Sequence, residues 1–148
     1  MNNTHEIEIL LVEDNQDDLD MALHSLRKAN LTNRIQIARD GAEALEFIFC
    51  QGAHTGRKIE SRPKVILLDL KLPKIDGLEV LKQVKSDPRT RMIPVVMLTS
   101  SKEQKDVIES YHLGANSYIV KPVNFEGFAA AVQELGMYWL LLNESPKP

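Results

Sequence analysis

The sequence predicts a doubly wound α/β fold, in which five parallel strands form one sheet and helices cover both of its faces. Short apolar runs alternate with segments of helical periodicity five times along the 148 residues. The runs are apolar at consecutive positions rather than at every second one, which is typical of strands buried on both faces. Helices that connect parallel strands supply this cover, and the preference for right-handed crossovers leaves few possible topologies.

Capping residues and periodicity indicate the first two strand–helix pairs. A strand at 9–12 precedes Asn15, which can cap a helix, and the acids that follow suit the first turn because the helix dipole favours negative charge there. A second strand at 34–38 precedes a helix at 41–50. The polar segment 51–64 is predicted to be a surface loop, and it is long for a helix-to-strand connection.

The remaining elements continue the alternation. A strand at 65–69 precedes a helix that begins near Asp76 and ends before Pro88, since proline disfavours helix in the residue ahead of it. The fourth strand ends at Thr99, and Gly114 is a plausible terminator of the helix that follows. The last pair is a strand that ends at Lys121 and a helix over 124–143, with polar ends at about 1–6 and 144–148.

Composition indicates a globular protein with no evident attraction to polyanions. Hydrophobic residues make up 43% of the chain, charged residues 26%, and the net charge is −3, so neither nucleic acid nor an anionic membrane is indicated as a partner. There is no secretory signal and no apolar run of the about 20 residues that a bilayer crossing needs. Cys50 is the only cysteine, which fits a reducing cytosol, and we interpret it as a semi-buried helical residue. We expect one cytoplasmic domain over 1–148 with no output domain.

Polar side chains stand at the ends of four of the five predicted strands. Glu13 and Asp14 follow the first strand, Asp69 ends the third, Thr99 ends the fourth and Lys121 ends the fifth. Each residue alone is best explained as a cap or a surface group. Ligands of doubly wound sheets bind outside the carboxyl ends of the strands, so together these residues predict a site at that edge.

The residue types at this edge suit phosphoryl chemistry. Three crowded carboxylates need a cation or a proton, and carboxylate oxygens completed by water suit Mg²⁺. Lys121 adds a compact positive charge. A carboxylate can attack phosphorus to form an aspartyl phosphate, and the metal and the lysine would neutralise the transferring group. The cluster therefore predicts a Mg²⁺-dependent phosphoryl site on Asp69.

The ordered motifs LLVEDN, LLDLKLPKIDG, MLTSS and YIVKP resemble the receiver domain of bacterial two-component response regulators. The resemblance spans nearly the whole chain and implies a flavodoxin-like (βα)₅ fold. The long 51–63 loop is similar to that of single-domain regulators that partner phytochromes. A protein of this kind is not an enzyme in its own right: it takes a phosphoryl group from a sensor histidine kinase, such as a bacterial phytochrome, and signals through conformational change and protein binding.

The resemblance implies a phosphoacceptor and a set of metal ligands. Asp69 would be the phosphoacceptor. Asp14 and Asp69 would bind Mg²⁺ directly, and Glu13 would bind it through water. The backbone carbonyl of Lys71 would complete the protein ligands. Glu13 replaces the aspartate more usual at its position, and it is longer by one methylene.

The resemblance also implies a phosphoryl-binding pair and a switch. Thr99 would donate a hydrogen bond to a phosphoryl oxygen, and Lys121 would pair with the same group. Tyr118 would be the aromatic switch that turns inward when Thr99 moves. Pro73 and Gly77 would shape the loop beside the phosphoacceptor.

The predicted final helix is apolar on more than one face. Such a helix is buried on more than one side, and an isolated domain has no second layer there to cover it. We therefore expect a homodimer through the last helix, with helix four and strand five adjoining, because twofold pairing is the commonest geometry.

Three alternative functions stay open at this point. A hydrolase of the haloacid-dehalogenase type would carry a second acid two residues after the nucleophile, where this chain has Lys71. A flavodoxin-like cofactor binder would need a small-residue phosphate loop after the first strand, where this chain has VEDNQDD. A degenerate receiver would act only as a scaffold.

Overall fold

The computed structural model describes residues 9–28, 34–100, 103–121, 126, 127 and 130. Its strands are β1 (Ile9–Val12), β2 (Ile35–Ala38), β3 (Val65–Asp69), β4 (Val95–Thr99) and β5 (Ser117–Val120). Its helices are α1 (Gln16–Lys28), α2 (Gly41–Ile48), α3 (Gly77–Ser86) and α4 (Gln104–His112). All five strands are parallel and form one sheet in the order β2-β1-β3-β4-β5. The predicted doubly wound fold is confirmed.

The apolar runs are continuous because both faces of the sheet are covered. Successive strand side chains point to opposite faces. Leu11 of β1 packs with Leu26 of α1 in one apolar cluster, whereas its neighbour Leu10 packs with Phe47 of α2 and Val80 of α3 in the other. The fully buried strands β1, β3 and β4 are therefore apolar up to their last residue, and their polar groups lie at the carboxyl edge of the sheet.

The helices begin and end where local chemistry predicts. The Asp18 N–H donates to Asn15 Oδ1 at 2.9 Å ahead of α1, and the Gly77 N–H donates to Asp76 Oδ1 at 2.9 Å at the start of α3. Gly114 follows α4 with φ +107°, a conformation that favours glycine and stops the helix. Strand β5 ends at Val120, one residue earlier than predicted.

The segment between α2 and β3 is built around an arginine. Helix α2 ends before Cys50, whose φ of 56° is left-handed, so its predicted place in a helix was wrong, although its partial burial is as predicted. A 3₁₀ turn at Gly52–His54 follows. The Arg57 guanidinium lies 3.7 Å from the centre of the Phe47 ring, a cation–π contact that fastens this long loop to α2.

The predicted final helix falls almost wholly outside the described residues. Only 126, 127 and 130 of that segment are described, and all three are helical. The apolar residues on which the dimer prediction depends are not among them. Within the described ranges, no helix combines the length and the apolar character that a bilayer crossing requires.

Candidate functional site

Three carboxylates meet at the carboxyl edge of β1 and β3, which are neighbours in the sheet. Glu13 and Asp14 follow β1 directly and Asp69 is the last residue of β3, and the pairing of Val12 with Leu68 sets them side by side. Their oxygens lie within 4.8 Å of one another. Glu13 and Asp69 are buried, whereas Asp14 is exposed. This is an acidic pocket of the kind that binds divalent cations.

The Lys121 ammonium group stands among these acids. Its Nζ lies 2.6 Å from Glu13 Oε1, 2.9 Å from Asp18 Oδ2 and 3.1 Å from Asp69 Oδ2. The backbone N–H of Lys121 donates to the Thr99 carbonyl oxygen at 2.7 Å, so the end of β4 holds the lysine in place. Burial lowers the pKa of Lys121, but hydrogen bonds to Glu13 and Asp18 and the charge of Asp69 outweigh that effect and raise it. The lysine is therefore a permanent cation at this edge.

Asp18 is a site residue that the sequence pattern alone does not predict. As an acid in the first turn of α1, it is explained by the helix dipole alone. In the fold its carboxylate contacts a lysine 103 residues away. The available signal was positional: α1 begins just after β1 ends, so its first turn lies at the same edge as Asp14.

The surroundings of the Asp69 carboxyl favour its protonated form more than water does. Burial and the charge of Glu13 raise the pKa of Asp69 to about 7, although Lys121 acts in the opposite direction. A further cation beside Asp69 would favour the ionised form, which is the nucleophilic one.

The remaining predicted site residues flank this cluster. Thr99 is buried at the end of β4 and pairs with Val120 of β5, whereas Tyr118 is partly buried against the apolar cluster of α2 and α3. Lys71 is exposed, and its backbone N–H lies 3.4 Å from Asp69 Oδ1. The structure thus brings the predicted acids and Lys121 together, with Thr99 and Lys71 directly adjoining.

The backbone after β3 folds back tightly on Asp69. The Gly77 N–H donates to the Leu70 carbonyl oxygen at 3.0 Å. A Cβ on Gly77 would lie 2.7 Å from that oxygen and would collide with the carbonyl oxygen of Asp69. Only glycine therefore allows α3 to start this close to the acid, and Gly77 sets the path of the loop that carries Lys71.

Comparison with known proteins identifies relatives along most of the chain. Residues 9–133 match the model of the response regulator receiver domain. The chain is 43% identical over 140 residues to the probable methanogenesis regulatory protein FilR2 of Methanothrix harundinacea. The alignment covers 95% of this chain and 88% of that protein. It is 41% identical over 132 residues to the response regulator Rcp1 of Synechocystis, covering 89% of this chain and 88% of Rcp1.

Solved structures agree with this assignment. The bacteriophytochrome response regulator RtBRR matches with a TM-score of 0.84 and 53% identity, over 95% of this chain and 84% of that one. The Mn²⁺-bound form of Rcp1 matches with a TM-score of 0.75 and 39% identity, over 95% of this chain and 99% of that one. These matches confirm the family predicted from the ordered motifs, and they favour neither a hydrolase nor a flavodoxin-like cofactor binder. The chain belongs to the family of response regulator receiver domains.

Proposed function

We propose that this chain is the phosphoacceptor of a two-component phosphorelay, in which Asp69 receives a phosphoryl group from a phosphohistidine of a sensor histidine kinase. The observation that carries the proposal is the position of the Asp69 carboxylate, beside two further carboxylates and 3.1 Å from Lys121 Nζ. The domain signals rather than turning over a substrate. Lys71 stands where a hydrolase of the haloacid-dehalogenase type would carry its proton-transferring acid.

The transfer is a displacement at phosphorus. An ionised Asp69 oxygen attacks the phosphorus of the donor, a P–O bond forms as the P–N bond breaks, and the electron pair stays on the donor's imidazole nitrogen. Lys121 offers its positive charge, and the Thr99 hydroxyl offers a hydrogen bond, to the oxygens of the transferred group. The product is an acyl phosphate on Asp69.

Mg²⁺ is the cation that we propose for the acidic pocket. The donors are hard carboxylate oxygens within 4.8 Å of one another, and the exposure of Asp14 lets water fill the remaining positions. Both Glu13 oxygens already accept hydrogen bonds, one from Lys121 and one from a backbone N–H, which favours contact through water. When bound, the ion would supply charge neutralisation of the transferring phosphoryl group. The direct protein ligands would be Asp14, Asp69 and the backbone carbonyl of Lys71.

Phosphorylation would be read out through Thr99 and Tyr118. A phosphoryl group adds about −1.5 to −2 charge units at neutral pH, a local change large enough to bias a two-state element. Thr99 lies one strand away from the acid, and its carbonyl oxygen accepts a hydrogen bond from the Lys121 N–H. A shift of Thr99 toward the phosphoryl group would therefore pull on β5, which carries Tyr118.

The similarity to RtBRR supports a bacteriophytochrome as the sensor kinase. RtBRR is itself a bacteriophytochrome response regulator, and its identity with this chain is 53%. The long loop after α2, fastened by Arg57, is a surface that such a kinase could recognise. Both partners would meet in the cytoplasm.

Acetyl phosphate and Mg²⁺ should add one phosphoryl group to the wild-type protein, as measured by intact-protein mass spectrometry. Asp69→Asn should abolish the gain because the nucleophilic oxygen is replaced. Asp20→Asn, which changes an exposed acid of α1, is the matched control and should be phosphorylated normally. A gain that persists in Asp69→Asn would place the acceptor elsewhere, and no gain in the wild type would favour the scaffold alternative.

We also propose a homodimer through the last helix, with α4 and β5 adjoining. Support comes from α4, where Ile108 and Tyr111 are 58% and 46% exposed despite their apolar surface. In sedimentation at micromolar concentration, Trp139→Arg and Leu142→Arg should shift the protein from dimer to monomer, because a buried charge opposes pairing.

The control for this prediction is Met92→Arg. Met92 is as exposed as these α4 residues but lies in the loop before β4, outside α4, β5 and the last helix. It should leave the dimer intact. A wild-type protein that already sediments as a monomer would contradict the proposal.

A further inference from the structure

The ammonium group of Lys121 is saturated with acceptors. A lysine ammonium has three N–H bonds, and here three carboxylates lie within hydrogen-bond distance of its Nζ. Glu13 accepts at 2.6 Å, Asp18 at 2.9 Å and Asp69 at 3.1 Å. A phosphoryl oxygen that pairs with Lys121 must therefore take a position that one of these carboxylates now holds.

Asp18 is the partner that can be released at least cost. Its side chain is 36% exposed, against 2% for Glu13 and 7% for Asp69, so water can solvate it readily. Glu13 is tied further, because its Oε2 accepts the Asn15 N–H at 3.1 Å. Phosphorylation removes the charge of the Asp69 carboxylate itself, but this side chain stays beside Lys121 because it carries the phosphoryl group.

Charge acts in the same direction. Asp18 lies outside the group of three carboxylates that could hold a cation, so a metal ion there would not neutralise it directly. A phosphoryl group on Asp69 brings additional negative charge to the same ammonium group. Asp18 and the phosphoryl oxygens then compete for one donor and repel each other.

We infer that Asp18 is a positioning residue: it holds Lys121 over Asp69 in the resting protein and yields its hydrogen bond to a phosphoryl oxygen. Asp18 thereby limits how tightly the site retains a phosphoryl group. The inference rests on the proposed function, because it assumes that Asp69 is the phosphoacceptor.

The test is the affinity of the full chain for beryllium trifluoride, a phosphoryl analogue, in the presence of Mg²⁺, measured by fluorine NMR. Asp18→Asn removes the competing charge and should tighten binding about fivefold. Asp17→Asn is the matched control: it removes one charge from the same helical turn, and the described residues show no contact between Asp17 and Lys121. It should change the affinity by less than about twofold, since exposed charges are screened.

Two further measurements separate positioning from general stability. Without metal or analogue, nitrogen-15 NMR should show faster exchange of the Lys121 ammonium protons with water in Asp18→Asn than in Asp17→Asn. In a Lys121→Met background, Asp18→Asn should no longer change analogue affinity, because its effect passes through the lysine. Should Asp18→Asn fold poorly, Asp18→Ser provides the same loss of charge.

The outcomes distinguish this inference from the proposed function. If the wild type binds the analogue, Asp69→Asn does not, and Asp18→Asn binds no more tightly than Asp17→Asn, the role of Asp18 is refuted while the phosphoacceptor stands. Weaker binding in Asp18→Asn would also refute it, because the carboxylate would then support the phosphorylated state. A wild type that fails to bind the analogue would overturn both.

Discussion

Gly77→Ala should lower the free energy of unfolding by about 3 kcal/mol, because the new methyl group has no room. It would lie 2.7 Å from the Leu70 carbonyl oxygen and would collide with the Asp69 carbonyl oxygen. Backbone atoms cannot turn aside as a flexible side chain can, so α3 must move away from the end of β3. Urea denaturation monitored by circular dichroism measures the loss.

Gly56→Ala is the control for this prediction. It makes the same chemical change in the long loop after α2, where an added Cβ meets nothing within 4 Å. Its effect should stay within about 1 kcal/mol and should be stabilising if anything, since alanine restricts the unfolded chain. Equal stabilities of the two variants would show that α3 does not approach Asp69 as closely as described.

Lys121→Met should destabilise the protein by about 3 kcal/mol, because it leaves buried carboxylates without their cation. Methionine keeps much of the side-chain volume, so the main loss is electrostatic. Glu13 and Asp69 are both buried, and each has its closest described cation in Lys121. Thermal or urea unfolding without divalent cations measures the effect, and added Mg²⁺ should recover part of it by replacing the missing charge.

Lys105→Met is the matched control for the lysine. Lys105 pairs with Glu103 at 3.6 Å, but both side chains are largely exposed. An exposed pair contributes about 1 kcal/mol or less, so this variant should unfold nearly as the wild type does. If Lys121→Met is equally mild, water must reach the carboxylates, and the acidic pocket would not depend on the lysine.

Much of the fold could be predicted because its buried strands are runs of consecutive apolar residues. In β1 and β3, every position from the first to the last is buried. Each strand therefore appears in the sequence as a run of consecutive apolar residues, without alternation between apolar and polar positions. Capping chemistry then marked the start of α3 at Asp76 and the stop of α4 at Gly114. The prediction that Cys50 lies in a helix was wrong for a local reason. Its left-handed φ is an unusual conformation for a cysteine, and no feature of the sequence indicates it.

The candidate site could be predicted only as far as strand ends reveal it. Glu13, Asp14 and Asp69 each follow an apolar run directly, and parallel strands align such ends at one edge. Asp18 does not follow an apolar run, and an acid in the first turn of a helix is common, so the sequence does not indicate its role. Similarly, nothing near Arg57 in the sequence shows that it lies over Phe47, because that contact depends on how the loop folds back.

The sequence by itself therefore determined the parallel sheet, the order of its elements and the edge at which the acids gather, because these follow from local burial and from chain direction. Only the tertiary structure decided which carboxylates share the Lys121 ammonium group and how closely Gly77 approaches Asp69. The reason is physical: hydrogen bonds and steric contacts act over about 3 Å, and residues far apart in the chain come that close only after the packed core has placed them.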